Sequence, residues 1–259
     1  MTAERQLPAG VPPHIRALLK SGRGEALVAQ NDATLPAFPF GLARQGVHEI
    51  AEQVYGDFTA ATGFALAAAG QVTGPILWVA QSKTAMEHGH LFQTGLSSFH
   101  AEQPTVLTVR TRKLPDALWA IEEAICSKVI GLVIAEIEDT DFTASRRLSL
   151  ASDRSGVPAI LLMPYKREGA SAAQARWRVG AQVSAPNRFD AHGLGRPRWR
   201  AVLERSRQVP QLAGRSFDIE LDDETFSLNL VSKLVNHPPS PRKTGLDIPR
   251  RTGEERRAG

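Results

Sequence analysis

Short apolar runs separated by helix-like segments fill the first two thirds of the chain. The runs predict buried strands over residues 47–51, 75–81, 105–110, 129–137 and 158–163. Helix signals predict helices after Asp57, after Pro115 and over residues 143–156, the last capped by Thr143 and ended by Gly156. A regular alternation of strand and helix is typical of a mainly parallel sheet with helices on both faces.

The pattern changes after about residue 175. Alternation of apolar and polar residues predicts further strands over residues 176–183, 198–205, 217–221 and 226–230. Their close spacing is typical of hairpins, so we expect antiparallel strands that extend one edge of the parallel sheet. The predicted fold class is therefore α/β.

These patterns divide the chain into three segments. Residues 1–34 are predicted to hold a short helix, over residues 12–20, and a linker; residues 35–232 are predicted to form one core domain. Residues 233–259 are rich in Pro, Arg and Gly, so we expect a basic, disordered tail.

The tail contains an apolar pair, Leu246 and Ile248, followed by Arg250 and Arg251. It is either a solvated end or a segment that binds a partner. The apolar pair favours partner binding, because two apolar side chains in a polar tail have little else to contact.

Charge is segregated along the 259-residue chain. The tail accounts for the whole net charge of +4, since it carries seven Lys and Arg against three Asp and Glu. Residues 176–207 hold eight arginines and two acidic residues, whereas residues 48–141 hold 12 acidic and five basic ones. This segregation indicates a basic face that meets nucleic acid or an acidic protein surface.

The single cysteine, Cys126, excludes an internal disulfide framework and a cysteine-rich zinc cluster. No apolar run reaches the roughly 20 residues of a transmembrane helix. The first residues also lack the apolar core of a signal peptide. We therefore expect a cytoplasmic protein with no membrane partner.

Residues 47–69 have the strand, turn and helix order of a phosphate-binding loop. Such a loop needs G-x-x-x-x-G-K-[ST], but six residues separate Gly56 from Gly63, and residues 47–79 contain no lysine. Thr59, Thr62 and Gly63 are candidates to place backbone amides near an anion at the helix start. The alternative, which the missing lysine favours, is an ordinary crossover whose turn uses Gly56.

Other signals of catalysis are weak. Glu136 ends a buried strand, where a carboxylate can hold Mg²⁺, but an anchoring or capping role for it is favoured. His88 and His90 form a possible metal pair without a further ligand at a recognisable spacing, so a surface loop is favoured. No G-x-S-x-G occurs. We assign no catalytic residue, metal or cofactor.

The arginines near the chain's C-terminal third give a clearer pattern. Strand alternation places Trp177 on one face and Arg176 and Arg178 on the other, and the same pattern recurs in Arg198 and Arg200 around Trp199. Side by side, two such strands would form a ridge of arginines. Candidate phosphate contacts, sequence-independent and sensitive to salt, are Arg176, Arg178, Arg196, Arg198, Arg200, Arg205 and Arg207. The alternatives are a solvated face, or arginines paired with acidic residues of the same protein.

Seven segments carry a family resemblance. They read GVHEI, GDFTAATGFALA, GPILWV, LPDALWAIEEAI, DFTASRRLSLASDRSGVPAILLMP, ARWRV and GLGRPRWRAVLERSR. Together they resemble the ImuA family, which comprises RecA-like, SulA-related proteins of bacterial mutagenesis cassettes. The resemblance covers roughly residues 35–230.

This resemblance implies a RecA-like core with a degenerate ATPase loop. It implies a non-catalytic role in SOS-induced translesion synthesis beside an ImuB-like Y-family protein, RecA and an error-prone replicative-type polymerase. DNA contact, self-association through the N-terminal helix, and a position at the nucleoid when engaged are further expectations. Two alternatives stay open: a DNA-stimulated ATPase with an unconventional nucleotide site, and a SulA-like inhibitor of cell division.

Overall fold

The computed structural model describes residues 38–231 except residues 101, 188 and 191. The elements in chain order are β1 Val47–Glu52, α1 Phe58–Ala69, β2 Ile76–Gln81, α2 Ser82–His88, a 3₁₀ helix Gln93–Ser98, β3 Val106–Thr111, α3 Leu114–Ser127, β4 Leu132–Glu136, α4 Phe142–Ser155, β5 Ala159–Met163, β6 Ala175–Gln182, β7 Arg198–Ser206, a 3₁₀ helix Pro210–Leu212, β8 Arg215–Asp222 and β9 Ser227–Leu230. The predicted N-terminal helix and the tail positions Leu246, Ile248, Arg250 and Arg251 lie outside the described residues.

All nine strands belong to one sheet, in the order β3-β2-β4-β5-β1-β6-β7-β8-β9. The strands from β3 to β6 run parallel, and β7, β8 and β9 continue the sheet in antiparallel pairs. The predicted mainly parallel sheet with antiparallel strands at one edge is confirmed. One detail was wrong: β6, predicted as antiparallel, runs parallel to β1, because the connection after β5 returns it to the same end of the sheet.

Each face of the sheet has its own core. On one face lies the alanine-rich helix α1. Its side chain Phe64 packs with Trp177 and Trp199. On the other face, α3 and α4 cover the parallel strands, with Ile121, Ile125 and Leu148 fully buried. The second face of β6 to β9 carries polar side chains and is where the arginines lie.

Two predicted boundaries need correction. The strand predicted over residues 129–137 begins at Leu132, because Lys128 ends α3 with a φ of +58° and Val129 is 72% exposed. The cap of α4 is Asp141, whose Oδ1 accepts the N–H of Ala144 at 2.6 Å, and not Thr143. The predicted end of this helix at Gly156, with a φ of +78°, is confirmed.

None of the helices in the described part of the chain has both the length and the apolar character needed to cross a bilayer.

Candidate functional site

The loop between β1 and α1 is organised around the carboxylate of Glu52. This side chain is fully buried, and its Oε2 accepts the N–H of Gly56 at 3.0 Å. Its Oε1 accepts the N–H of Tyr165, which follows β5, at 3.2 Å. Gly56 has a φ of +103°, so the turn uses the conformational freedom of glycine, as predicted. A carboxylate of the protein itself therefore binds the loop amide that would otherwise be available to a phosphate.

A second carboxylate lies at the start of α1. Asp57 occupies the predicted N-cap position, but its side chain makes no capping hydrogen bond. Its Oδ1 instead accepts the N–H of Ala181 in β6 at 3.2 Å, which ties the helix start to the neighbouring strand. Two carboxylates thus surround a helix N-terminus, where an anionic ligand would need positive charge.

Three of the four predicted loop residues lie inside α1. The helix starts at Phe58, and its first hydrogen bond runs from Ala61 N–H to the Asp57 carbonyl at 2.9 Å. Thr62 and Gly63 therefore come after the first turn, where amides are already bonded within the helix, and only Thr59 lies in that turn. Thr62 and Gly63, named as candidates to place amides near an anion, are corrected on this point, because their amides lie beyond the first turn of the helix.

The position after Gly63 is part of the core. Phe64 is fully buried, and its ring centroid lies 6.1 Å from that of Trp177 and 6.0 Å from that of Trp199. In a phosphate-binding loop this position after the second glycine carries the lysine. Here the position is apolar and buried, so it serves packing.

Glu136 lies at the end of β4 and is 5% exposed. Burial raises the pKa of its carboxyl group to about 7. The anchoring role predicted for it belongs to Glu138, which pairs with Lys83 at 2.6 Å and accepts a hydrogen bond from Gln81 at 3.1 Å. The capping role belongs to Asp141. The sequence therefore placed a structural carboxylate after β4 correctly, but it assigned the anchoring and capping roles to the wrong residue.

The histidine pair separates in the structure. The ring of His88 stacks on Phe58 with centroids 4.0 Å apart, whereas His90 lines an open cavity beside Trp78 and Arg110. No group of three or more His, Cys, Asp or Glu side chains suited to a metal ion occurs within residues 38–231, as far as these are described.

The predicted ridge lies on the uncovered face of β6 and β7, and carboxylates are interleaved with it. Arg178 faces Val202, and Arg200 faces Gly180, so the arginines follow one another along the strands instead of standing side by side. The ion pairs are Arg176 with Glu49 (2.7 Å), Arg178 with Glu204 (2.5 Å), Arg196 with Asp223 (2.6 Å), Arg198 with Glu220 (2.6 Å) and Arg200 with Asp218 (3.0 Å). These contacts favour the alternative in which the arginines pair within the protein; DNA contact stays a prediction.

Arg205 and Arg207 differ from the rest of the ridge. A bulge near Arg205 places it opposite Arg176, and its guanidinium donates to the Ala173 carbonyl at 3.2 Å. Within the described residues, no carboxylate lies at ion-pair distance from Arg205 or from the exposed Arg207.

A buried ionic network centred on Glu49 of β1 was not predicted from the sequence. Glu49 is fully buried and accepts hydrogen bonds from Arg176 at 2.7 Å, from Arg167 at 3.4 Å and from the hydroxyl of Ser171. The available signal was the segment HEIAE, in which carboxylates interrupt a strand buried on both faces. A buried carboxylate requires buried donors, but the sequence does not say that they come from more than 100 residues away.

The fold and loop together define an α/β protein with a phosphate-loop-like crossover whose turn is held by its own carboxylate. No family model matches the chain. It is 31% identical to Protein ImuA of Caulobacter vibrioides over 182 residues, which cover 66% of this chain and 72% of the relative; the values are the same for strains NA1000 / CB15N and ATCC 19089 / CIP 103742 / CB 15. The crystal structure of the RadB recombinase matches 75% of this chain and 94% of its own at 12% identity and a TM-score of 0.44.

The chain belongs to the ImuA family. The family predicted from the seven sequence segments is thus confirmed by the relatives from both Caulobacter strains.

Proposed function

We propose that this protein is a non-catalytic accessory factor of SOS-induced, error-prone translesion DNA synthesis. It would assemble with an ImuB-type Y-family protein, with RecA and with an error-prone polymerase. Membership of the ImuA family supports the cellular role. The single observation that supports the absence of catalysis is the hydrogen bond from the Gly56 N–H to the Glu52 carboxylate.

A nucleotide phosphate in this loop would face two carboxylates, Glu52 and Asp57, with no lysine to balance them. Like charges a few ångströms apart repel strongly where water is excluded. Displacing Glu52 would also leave the N–H of Tyr165 without its acceptor. The loop is therefore adapted to hold β1, β5 and α1 together, not to bind a triphosphate.

Exposed apolar side chains at one end of the sheet support a scaffolding role. Tyr55 follows β1 and packs against Tyr165 with ring centroids 5.9 Å apart. Val183 follows β6, and Phe189 and Leu194 lie in the connection to β7; these three side chains are 89%, 98% and 88% exposed. All of them lie where β1 and β6 end and β7 begins. Exposed apolar side chains gathered at one place commonly mark a protein-binding surface.

The first test measures ATP binding by calorimetry and ATP turnover with and without single-stranded DNA. We expect neither saturable binding nor turnover, because the carboxylates repel the phosphates. Saturable binding with DNA-stimulated hydrolysis would instead identify an ATPase with an unconventional site.

The second test measures capture of the ImuB-type protein and RecA by the purified full-length chain. The variant Tyr55→Ser with Val183→Ser is expected to lose most capture, whereas Trp119→Ser, which removes an aromatic side chain 63% exposed on α3, is the matched control. Capture of a tubulin-like division protein in place of these partners would overturn the proposal in favour of a SulA-like role.

A further inference from the structure

Four arginines gather at the start of β6 and the end of β7. Arg176 and Arg205 face each other across the two strands, Arg207 follows the end of β7, and Arg167 lies in the loop after β5. Only two carboxylates lie at ion-pair distance from this group within the described residues: the buried Glu49, and Asp139, whose side chain is 66% exposed. The cluster therefore carries an excess of positive charge.

The charges are close enough to act on each other. The pKa of Arg205 is lowered, first by partial burial and then by the positive charge of Arg176, with smaller effects of the same sign from Arg207 and Arg167. Glu49 opposes this shift but does not cancel it. Mutual repulsion of this kind is unfavourable unless a further negative charge is shared among the guanidinium groups.

The cluster also contains donors that have no acceptor. Nε of Arg167 and one terminal nitrogen of Arg176, Nη2, are buried and make no hydrogen bond. Arg167 is 6% exposed, so an acceptor for its unpaired nitrogen has to enter between the arginine side chains of the cluster. A buried donor left unpaired is destabilising, so an acceptor at this place would be stabilising.

We propose that Arg167, Arg176, Arg205 and Arg207 form a binding site for one phosphate group. Guanidinium groups bind phosphate in a planar, paired geometry, and a doubly charged oxyanion matches the excess charge better than a single carboxylate does. Arg205 and Arg207 line the open side, because the face of β6 and β7 on which Arg205 lies is not covered by a helix of the described chain. The inference rests on local charge and hydrogen bonding and does not depend on the proposed accessory function.

The phosphate group has two possible sources: a nucleic-acid backbone or free phosphate. The test measures calorimetric binding of inorganic phosphate and of acetate at matched ionic strength, and of a short single-stranded DNA, to the full-length protein. Arg205→Gln with Arg207→Gln removes the open half of the site. Arg110→Gln with Arg112→Gln is the matched control, since it removes the same charge from exposed positions at and just beyond the end of β3, an edge strand far from β6 and β7 in the sheet.

We expect saturable binding of phosphate that weakens at least tenfold in the first double variant and is unchanged in the control. If DNA affinity and its salt dependence fall in the same variant, the source is the nucleic-acid backbone. If only inorganic phosphate binding falls, the source is free phosphate. Absence of saturable phosphate binding, equal binding of acetate, or equal losses in both double variants would overturn the site. Circular dichroism of each variant verifies that it is folded.

Discussion

Three buried carboxylates in this protein are stabilised in different ways. Glu49 is paired with arginines, and Glu52 accepts two backbone N–H groups, so both carboxylates have hydrogen-bond partners. Glu136 is nearly as buried, but no arginine or lysine of the described chain pairs with it. Its pKa is accordingly raised from 4.5 to about 7, and the folded state favours its protonated form.

Glu136→Gln is expected to change how stability depends on pH. Because the folded pKa of Glu136 lies above its unfolded value, its contribution to stability is complete below about pH 4.5 and is lost as pH rises through about 7. The variant should match the parent protein near pH 4, below the unfolded pKa. It should exceed the parent near pH 8.5 by up to about 3 kcal/mol, the equivalent of the pKa shift. Urea unfolding at both pH values measures the difference.

His48 also makes stability depend on pH, but equally in both proteins. Burial lowers the pKa of this histidine to about 4, so the folded protein loses stability as pH falls from about 6.5 towards 4. Both proteins share this loss, which cancels when they are compared at one pH. An equal difference between the two proteins at both pH values would show that Glu136 does not titrate as described.

At the residue scale, the sequence predicted which face each strand residue occupies but not its polar partners. Alternation correctly separated the buried Trp177 and Trp199 from the arginines beside them. It was silent on Glu49 and Arg176, which are 127 residues apart in sequence. Such pairs depend on the strand order of the whole sheet, and a local pattern contains no information about that order.

At the scale of single elements, α4 allows the predicted and observed caps to be compared directly. Asp141→Ala removes the acceptor of the Ala144 N–H and is expected to reduce the free energy of unfolding by about 1 kcal/mol. Thr143→Ala, at the position predicted from sequence, should have little effect because Thr143 is exposed inside the first turn. Equilibrium denaturation in urea compares both variants with the parent protein. A larger loss from Thr143→Ala would restore the predicted cap.

The positions of most strands and helices could be predicted from the local hydrophobic pattern and the helix-end residues. All five predicted parallel strands exist, and so does each helix placed between them. Errors fell at the ends: β4 starts three residues later than predicted, because Lys128 ends α3 in a left-handed conformation and Val129 is exposed. Apolar character extends into a turn as easily as into a strand, so it does not mark where hydrogen bonding between strands begins.

At the scale of the whole molecule, the described sheet has a hydrophobic core on each face. We expect that deleting residues 237–259 leaves the thermal unfolding midpoint within about 2 °C of the parent value, since a loss of 1 kcal/mol in a chain of this size shifts the midpoint by about 2–4 °C. Differential scanning calorimetry measures this. A larger decrease would mean that the tail packs on the core.

The charge balance of the chain predicted a basic face, and the structure shows why that prediction was incomplete. Eight arginines in residues 176–207 suggested an exposed ridge. Acidic side chains of β1, β7 and β8, and Asp223 just beyond β8, pair with five of the seven arginines that the structure describes there. Among the described residues, Arg205 and Arg207 have no carboxylate at ion-pair distance. Counting charges along a sequence does not reveal which of them meet after folding.

The burial of Phe64 limits how this protein can evolve. Replacing it with the lysine of an ATP-binding loop would place an ammonium group between Trp177 and Trp199, where burial of an unpaired charge costs several kcal/mol. A working loop would also require a shorter turn and the loss of Glu52, which holds Gly56 and Tyr165. Each of these changes alone weakens the fold. Packing of the core therefore constrains residue 64 to a large apolar side chain, and a lysine there would require compensating changes in both tryptophans and in the β1–α1 turn.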